Sequence, residues 1–260
     1  MKIVSLASGS RGNCTYICSN NTHILVDVGV SFAYLSSNLQ KIGINENSLD
    51  AVLITHEHGD HTKGLSVLIK KNPSLKIFAH PKTMLRLVEK INIPLANQFA
   101  ITQSDFFIKD LTVSAFSILH DSAHCLGFSF YENGKKFSIA TDIGEITQSL
   151  IENLLGSELV FIESNFDPDL LYYCDKYPGM IKSRIASNKG HLSNIECAKL
   201  VSKLIKNGTK RFALAHISQN SNTVDIALKT VVEYLTFNGL FDNVYIEVLQ
   251  QSSVSKIFEI

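Results

Sequence analysis

Short runs of β-branched, aliphatic and aromatic residues alternate along the chain with stretches whose apolar positions recur every three or four residues. The short runs predict strands at Lys2–Leu6, Thr15–Cys18, His23–Val28, Ala51–Thr55, Lys76–Ala79, Thr112–Leu119, Gly127–Tyr131 and Lys136–Thr141, most of them bounded by Gly, Asn, Asp or Pro. SELVFIE, KRFALAH and NVYIEVL read as later strands. FSFYE and KKFSIA flank Asn133-Gly134, a pair that accepts the positive φ of a tight hairpin, so the early strands are expected to be antiparallel.

Helical periodicity marks 31–42, 62–72, 81–90, 146–155, 193–206 and 222–237. The stretch 193–206 is the best specified. Ser193 can cap it, Glu196 three residues on completes a capping box, and Asn207-Gly208 closes it. Strands gathered first, strands mixed with helices later, and the lack of any linker or repeat predict a sheet-based core covered by helices, with residues 1–260 forming one domain.

Composition narrows the function classes. The 24 Lys and Arg balance 24 Asp and Glu, giving formal net charge +0. Such a chain does not grip nucleic acid or anionic membrane through bulk electrostatics. With 45% hydrophobic and 18% charged residues it is expected to fold as a compact globule. The five Cys contain no C-x-x-C pair, which points away from a thiolate zinc ribbon and towards a reducing compartment. MKIVSLASGS has too short an apolar run for a signal peptide, and no stretch approaches the length of a membrane span, so a soluble cytoplasmic protein with no membrane partner is expected.

The chemistry begins at THEHGDH, residues 55–61, directly after the apolar run AVLIT. On an extended segment alternate side chains share a face, so His56 and His58 can converge on one cation. Asp60 and His61, beyond the turn allowed by Gly59, can serve a neighbouring one. Three imidazoles and the Asp60 carboxylate within six residues exceed what one metal usually takes from a single loop. Further ligands are expected where apolar strands end in polar residues: His120 after VSAFSIL, Asp142 after FSIAT and His216 after RFALA. Each alone is equally a capping or hydrogen-bonded loop residue.

THEHGDH, a later strand-end His, TDIG and the final AHIS resemble the ordered motifs of the metallo-β-lactamase superfamily over nearly the whole chain. That resemblance implies an α/β fold, the αββα sandwich of two mixed sheets covered by helices, with a dinuclear site at one edge. It implies that His56, His58 and His120 hold one metal, that Asp60, His61 and His216 hold the other, and that Asp142 bridges them. Asp27, ending HILVD, matches the early structural Asp, although a plain turn residue reads as well there. Two divalent cations, Zn²⁺ or Mn²⁺ given His and carboxylate donors without Cys, are the implied cofactors.

Two adjacent cations activate a water and clamp attacking and leaving oxygens, chemistry that serves lactams, thioesters and phosphodiesters alike. FIESNFD (161–167) and NKGHLSN (188–194) resemble the paired Glu and Gly-His-Ser/Thr elements of ribonuclease Z-type phosphodiesterases. The resemblance implies that Glu163 orients His191 and that His191 protonates the leaving oxygen or holds a phosphate oxygen. With Asp60 these are the candidate catalytic residues. SLASGSRGNCTYI, LHDSAHCLGF, YPGMIKSRIASNKGHLSN and AHISQNSN resemble, in order, the bacterial YycJ/WalJ-like branch of 5′→3′ exonuclease-like enzymes that act on DNA. One departure falls at 121–127, where His124 and Cys125 replace the Glu-Pro of that branch.

A nucleic acid substrate, DNA before RNA, is therefore expected. Lys176, Lys182, Arg184 and Lys189 form a locally basic run that can follow a phosphate backbone or be a solvated helix face. Ser10, in the small-residue loop 8–13, and Ser193 join Lys182 and Arg184 as candidate substrate contacts. Tyr177 and Phe166 are possible stacking groups, and His23 and His80 receive no role. A thioester hydrolase of the glyoxalase II type is the competing enzyme reading, and a metal-stabilised binding module the competing reading outside catalysis.

Overall fold

The computed structural model describes residues 1–260. Two seven-stranded sheets pack face to face. The first contains β1 (Lys2–Ala7), β2 (Cys14–Ser19), β3 (Thr22–Val26), β4 (Ala51–Leu53), β5 (Lys76–Ala79) and β6 (Gln98–Ala100), with β14 (Phe258–Glu259) beside β1. The second runs in order through β7 (Asp105–Ile108), β8 (Leu111–Ile118), β9 (Cys125–Glu132), β10 (Lys135–Ala140), β11 (Leu159–Glu163), β12 (Arg211–Ala215) and β13 (Tyr245–Val248).

Alternation along each strand builds three apolar layers. In β11, Leu159 and Phe161 face the other sheet while Val160 and Ile162 face the helices. Between the sheets lie Ile3, Ile17, Ile24, Phe128, Phe130 and Phe137. Outside the first sheet, Leu25, Val52 and Ile77 meet α1 (Phe32–Lys41), α3 (Leu65–Lys71) and α4 (Pro81–Lys90) through Leu35, Leu68 and Leu87. Outside the second, Phe212 and Leu214 meet α5 (Gln148–Leu154), α8 (Asn194–Lys206) and α9 (Val224–Phe237) through Leu150, Val201 and Val231. The result is an αββα sandwich. No helix is long and apolar enough to cross a membrane.

Both sheets are mixed. β1, β2 and β3 are antiparallel as their short connections require, but β3 to β6 pair in parallel. The expectation of antiparallel early strands therefore fails from β4 onward, where α1, α3 and α4 supply the crossovers that parallel neighbours need. In the second sheet β8, β9 and β10 are antiparallel and β10 to β13 parallel. The C-terminal ends of β8, β10, β11 and β12 consequently share one edge.

The helix expected over 62–72 is two: α2 (Gly59–Thr62) and α3, interrupted at Lys63-Gly64. A Cβ at Gly64 would stand 2.3 Å from the Val30 carbonyl oxygen, so only glycine permits this close passage. Sequence periodicity misses β6, β7 and β14, and the helices α6 (Pro168–Tyr173) and α7 (Gly179–Ile185). These are short, and α7 fully buries none of its residues, so it carries no apolar stripe to read. The capping box of α8 is present: Ser193 Oγ accepts from Glu196 N, and Glu196 Oε2 accepts from Ser193 N.

Candidate metal centre

The chain leaves β4 through Ile54 and Thr55 and enters the loop that carries His56 and His58, followed at once by α2 with Asp60 and His61 in its single turn. His56 Nε2 lies 3.0 Å from His58 Nδ1, and His120 closes this group of three imidazoles. Asp60, His61 and His216 converge in a second group. Asp142 joins His56 and His61 on one side, and Glu163, His191 and His216 on the other. The seven residues expected to be ligands thus surround a common space at the shared sheet edge.

Backbone geometry aims several of these side chains. Asp27 and His216 follow directly on strands β3 and β12, and Asp142 stands one residue further beyond the end of β10, with φ of 61°, 57° and 58°. This left-handed region is uncommon for residues other than glycine, and Asn, Asp and His enter it most readily. Each chain turns sharply off its strand there and presents its side chain to the edge.

A second layer of hydrogen bonds fixes the imidazoles. Asp27 Oδ2 lies 2.7 Å from His61 Nδ1, and Asp27 Oδ1 accepts from Thr55 N at 2.9 Å. His120 Nδ1 donates to the Gly190 carbonyl at 3.1 Å. His216 Nδ1 stands 2.7 Å from Glu163 Oε1. In all three rings Nδ1 is engaged from behind, which turns Nε2 towards the clustered carboxylates Asp60 and Asp142. Glu163 also contacts His191 Nδ1 at 2.9 Å through the same Oε1, while Oε2 accepts from the backbone N–H of Ile143 and of Leu192. It therefore ties together the neighbours of Asp142 and His191 as well as two rings.

The electrostatics suit a cation. Burial holds His56 neutral by pushing its pKa well below the ordinary range, and the neighbouring His61, His120 and His58 add to this. Burial alone would raise the Asp60, Asp142 and Glu163 carboxyls, but the surrounding histidines overcome it and hold all three low. Burial works against charge on His216 too, yet Asp142, Asp60 and Glu163 bring it up to about 10. Asp142 Oδ2 and His216 Nε2 are buried with no hydrogen-bond partner. Orphaned donor atoms among clustered imidazoles and carboxylates are what a divalent-metal site offers before its ion is counted, so the residues present fit the metals that the sequence implies. No thiolate competes: Cys125 Sγ sits 3.8 Å from His56 Nδ1, behind the ring, and burial pushes its thiol up.

A cleft of about 330 Å³ opens onto this centre. Its lining joins His58, Asp60, His120, Asp142, His191 and His216 to Ile181, Arg184 and Ile185 of α7. Arg184 Nε pairs with Asp121, which also lines the cleft.

The other expected substrate contacts lie elsewhere. Lys182 Nζ donates to the Tyr172 carbonyl at 2.6 Å and does not line the cleft. Ser193 is buried in its cap, with its hydroxyl taken by Glu196. Ser10 is exposed in a loop that works as a brace: Gly9 N donates to Asn13 Oδ1, Arg11 N to Gln251 Oε1, and Asn13 N to the Asp60 carbonyl. Ser8 Oγ, in the same loop, accepts from His216 N at 2.8 Å. The Asn13 amide thus holds Asp60 and the Ser8 hydroxyl holds His216, while the Gly9 and Arg11 amides are spent within the loop and on Gln251. Lys176 and Tyr177 both bond to Asn220, Lys189 is exposed, and Phe166 is buried. His124 stacks on His80 with ring centroids 3.6 Å apart and bonds Ser117, outside the cleft, while His23 bonds Tyr16.

Sequence reasoning missed Asn13, whose Nδ2 approaches His61 Nε2 at 3.2 Å, and Asn165, whose Nδ2 donates to the His216 carbonyl. It also missed Gly29, where a Cβ would fall 1.6 Å from the Asp60 carbonyl oxygen. Asn13 and Gly29 act through folded neighbours far away in sequence, and nothing in their local pattern marks them.

A two-sheet αββα sandwich with histidines and carboxylates gathered at one edge defines a metallohydrolase. A family model described as a beta-lactamase superfamily domain matches residues 22–217, and the chain belongs to this family. It is similar to the exodeoxyribonuclease YycJ of Bacillus anthracis, 34% identical over 236 residues that cover 90% of this chain and 89% of that one. It is also similar to the exodeoxyribonuclease WalJ of Streptococcus pneumoniae, 32% identical over 235 residues covering 88% and 86%. Among solved structures the metallo-beta-lactamase fold protein YhfI from Bacillus subtilis superposes with a TM-score of 0.73 at 16% identity, covering 98% of this chain and 100% of that one. The chain is accordingly an enzyme of the metallo-β-lactamase hydrolase superfamily, a family that implies divalent metal binding.

Proposed function

We propose that this enzyme is a dimetal phosphodiesterase that removes nucleotides from a 5′ end of DNA, acting as one domain in the cytoplasm. The observation that carries the reading is the Glu163 carboxylate placed between His191, which faces the cleft, and His216, which faces the metal groups. The two exodeoxyribonuclease relatives supply the substrate class. His56, His58 and His120 would hold one cation, Asp60, His61 and His216 the other, and Asp142 would bridge, with Zn²⁺ or Mn²⁺ both suited to these donors. When bound, such ions supply Lewis-acid polarisation of the phosphate and a water of lowered pKa.

The side chains do the rest. Asp60, which lines the cleft, accepts a hydrogen bond from the attacking water, orients it and passes the proton that the water loses to solvent. As the water oxygen bonds to phosphorus, the bond to the leaving alcohol oxygen breaks. His191, its Nδ1 side fixed by Glu163, delivers the proton from Nε2 to that oxygen. Glu163 is fully buried and acts as a positioning residue. Arg184, steered by Asp121, lines the same cleft, where it can bind a phosphate oxygen.

A thioester hydrolase of the glyoxalase II type shares the metal ligands, and with them the Glu163 contact to His216, but leaves His191 and its contact to Glu163 without work. Offering the metal-loaded enzyme a 5′-phosphorylated oligodeoxynucleotide, the matching RNA and a glutathione thioester tests the choice. Turnover of the DNA is expected, and turnover of the thioester alone would overturn the proposal.

A further inference from the structure

We propose that the pocket beside the His80–His124 stack is a second phosphate subsite, which holds a backbone phosphate of the DNA chain away from the scissile bond; this rests on the phosphodiesterase reading above. The two rings lie nearly parallel, with centroids 3.6 Å apart and planes at 15°. They come from opposite halves of the sandwich: His80 follows β5 of the first sheet and His124 precedes β9 of the second. Each ring is fixed from one side. His80 Nδ1 accepts from Lys82 N at 3.2 Å as the cap of α4, and His124 Nε2 lies 3.0 Å from Ser117 Oγ. Beside them opens a pocket of about 420 Å³, whose lining includes Thr102, Ser104 and Ser117 and no carboxylate.

The donors that remain suit an anion. Because His80 Nδ1 is an acceptor, the neutral ring carries its proton on Nε2, which is free to donate. His124 has Nδ1 free in the same way. Burial, the facing ring and Lys82 hold His80 below the ordinary imidazole range, and burial and Lys82 do the same for His124, so the stack is a neutral pair. Lys82 itself is exposed, and its ammonium is paired with no carboxylate. A metal ion on His80 Nε2 would have to move the proton to Nδ1 and break the cap, so a phosphate oxygen is the better-fitting occupant.

The pocket shares an edge with the metal centre. β4, β5 and β6 pair in parallel, so the metal loop, His80 and the 101–104 loop leave neighbouring strands on one side. Such strands are about 4.8 Å apart. A phosphate within a few nucleotides of the scissile one therefore reaches the pocket. Both rings are held before the ligand arrives, which lowers the cost of ordering them. A contact of this kind positions the chain without reading its bases or its pairing.

The test compares the metal-loaded wild type with His80→Ala/His124→Ala and with His80→Gln/His124→Gln. Each is given a 5′-phosphorylated DNA duplex and, separately, bis(p-nitrophenyl) phosphate, which is too small to span the two sites. On DNA the alanine pair should raise KM about tenfold with kcat within about twofold, and the glutamine pair, which keeps N–H donors, should recover most of the loss. On the small diester neither pair should change KM or kcat. Lys82→Ala should flatten the salt dependence of KM for DNA by about one unit of log–log slope. Equal KM for DNA in the wild type and the alanine pair would overturn the inference. So would equal losses on both substrates, which would make the stack a brace for the loop of His120, or a third equivalent of bound Zn²⁺ that the alanine pair loses, which would make it a metal site. The imidazole Cε1–H resonances of His80 and His124, assigned by their loss in single variants, give a readout independent of turnover. They should move when the duplex is added to the Zn²⁺-loaded wild type, and their failure to move would overturn the subsite. If they move while neither substrate is hydrolysed, the function fails and the subsite stands.

Discussion

Glu163 and His216 face each other across 2.7 Å, Oε1 to Nδ1, with both side chains buried at the ends of neighbouring parallel strands. Because the same Oε1 also contacts His191, one carboxylate orients both a proposed metal ligand and the proposed proton donor. Glu163→Gln should therefore lower metal affinity by about 10–100-fold and also reduce kcat. His191→Ala should lower kcat by about 10²–10⁴-fold and leave metal content intact. Metal analysis of both purified variants beside their turnover separates the two effects; loss of bound metal in His191→Ala would contradict the assignment.

Asp27 holds His61 as Glu163 holds His216, and its φ of 61° restricts what can replace it. Asn accepts that backbone region, so Asp27→Asn should fold while losing the charge behind His61. Metal affinity is expected to fall about 10–100-fold, read by competitive titration against a chelating dye. Unchanged affinity would mean that Asp27 is only a turn residue.

Gly29 and Gly134 offer a matched pair of alanine substitutions. At Gly29 the new Cβ meets the Asp60 carbonyl at 1.6 Å, whereas at Gly134, φ 77°, nothing lies within 4 Å. Gly134→Ala should cost about 1 kcal/mol through backbone strain alone. Gly29→Ala should cost more than about 3 kcal/mol, or prevent folding, because backbone must move against backbone. Denaturant unfolding measures both, and similar costs at the two sites would refute the close approach.

Ser193 carries two expectations, a cap and a substrate contact, and the structure shows the cap of α8 with its hydroxyl on Glu196. Ser193→Ala should destabilise the protein by about 0.5–2 kcal/mol and leave KM for DNA unchanged. A raised KM at unchanged stability would restore the substrate role.

Much of the sandwich was legible because its strands end in turn residues and its long helices carry apolar stripes, as in 193–206. The parallel pairing of β3 to β6 was not, since strand direction depends on how crossover helices pack rather than on any local signal. At the site, His56, His58, Asp60 and His61 announced themselves by density within one loop. His120, Asp142 and His216 were visible as polar residues ending apolar strands, and the family resemblance grouped them. The hydrogen bonds behind them were only half legible: the Glu163 contact to His191 was expected, its contact to His216 was not. Lys182, Ser10 and Ser193 do not line the cleft, because a charge or hydroxyl near a motif says nothing of which way it points.

The most direct measurement of the central proposal follows 5′-end cleavage of labelled single-stranded DNA by chelator-stripped enzyme as Zn²⁺ or Mn²⁺ is returned in counted equivalents. The proposal predicts no turnover in the stripped protein, full recovery near two equivalents per chain, and no recovery in His61→Ala. Full cleavage by the stripped protein, or none with any divalent metal at saturation, would contradict it.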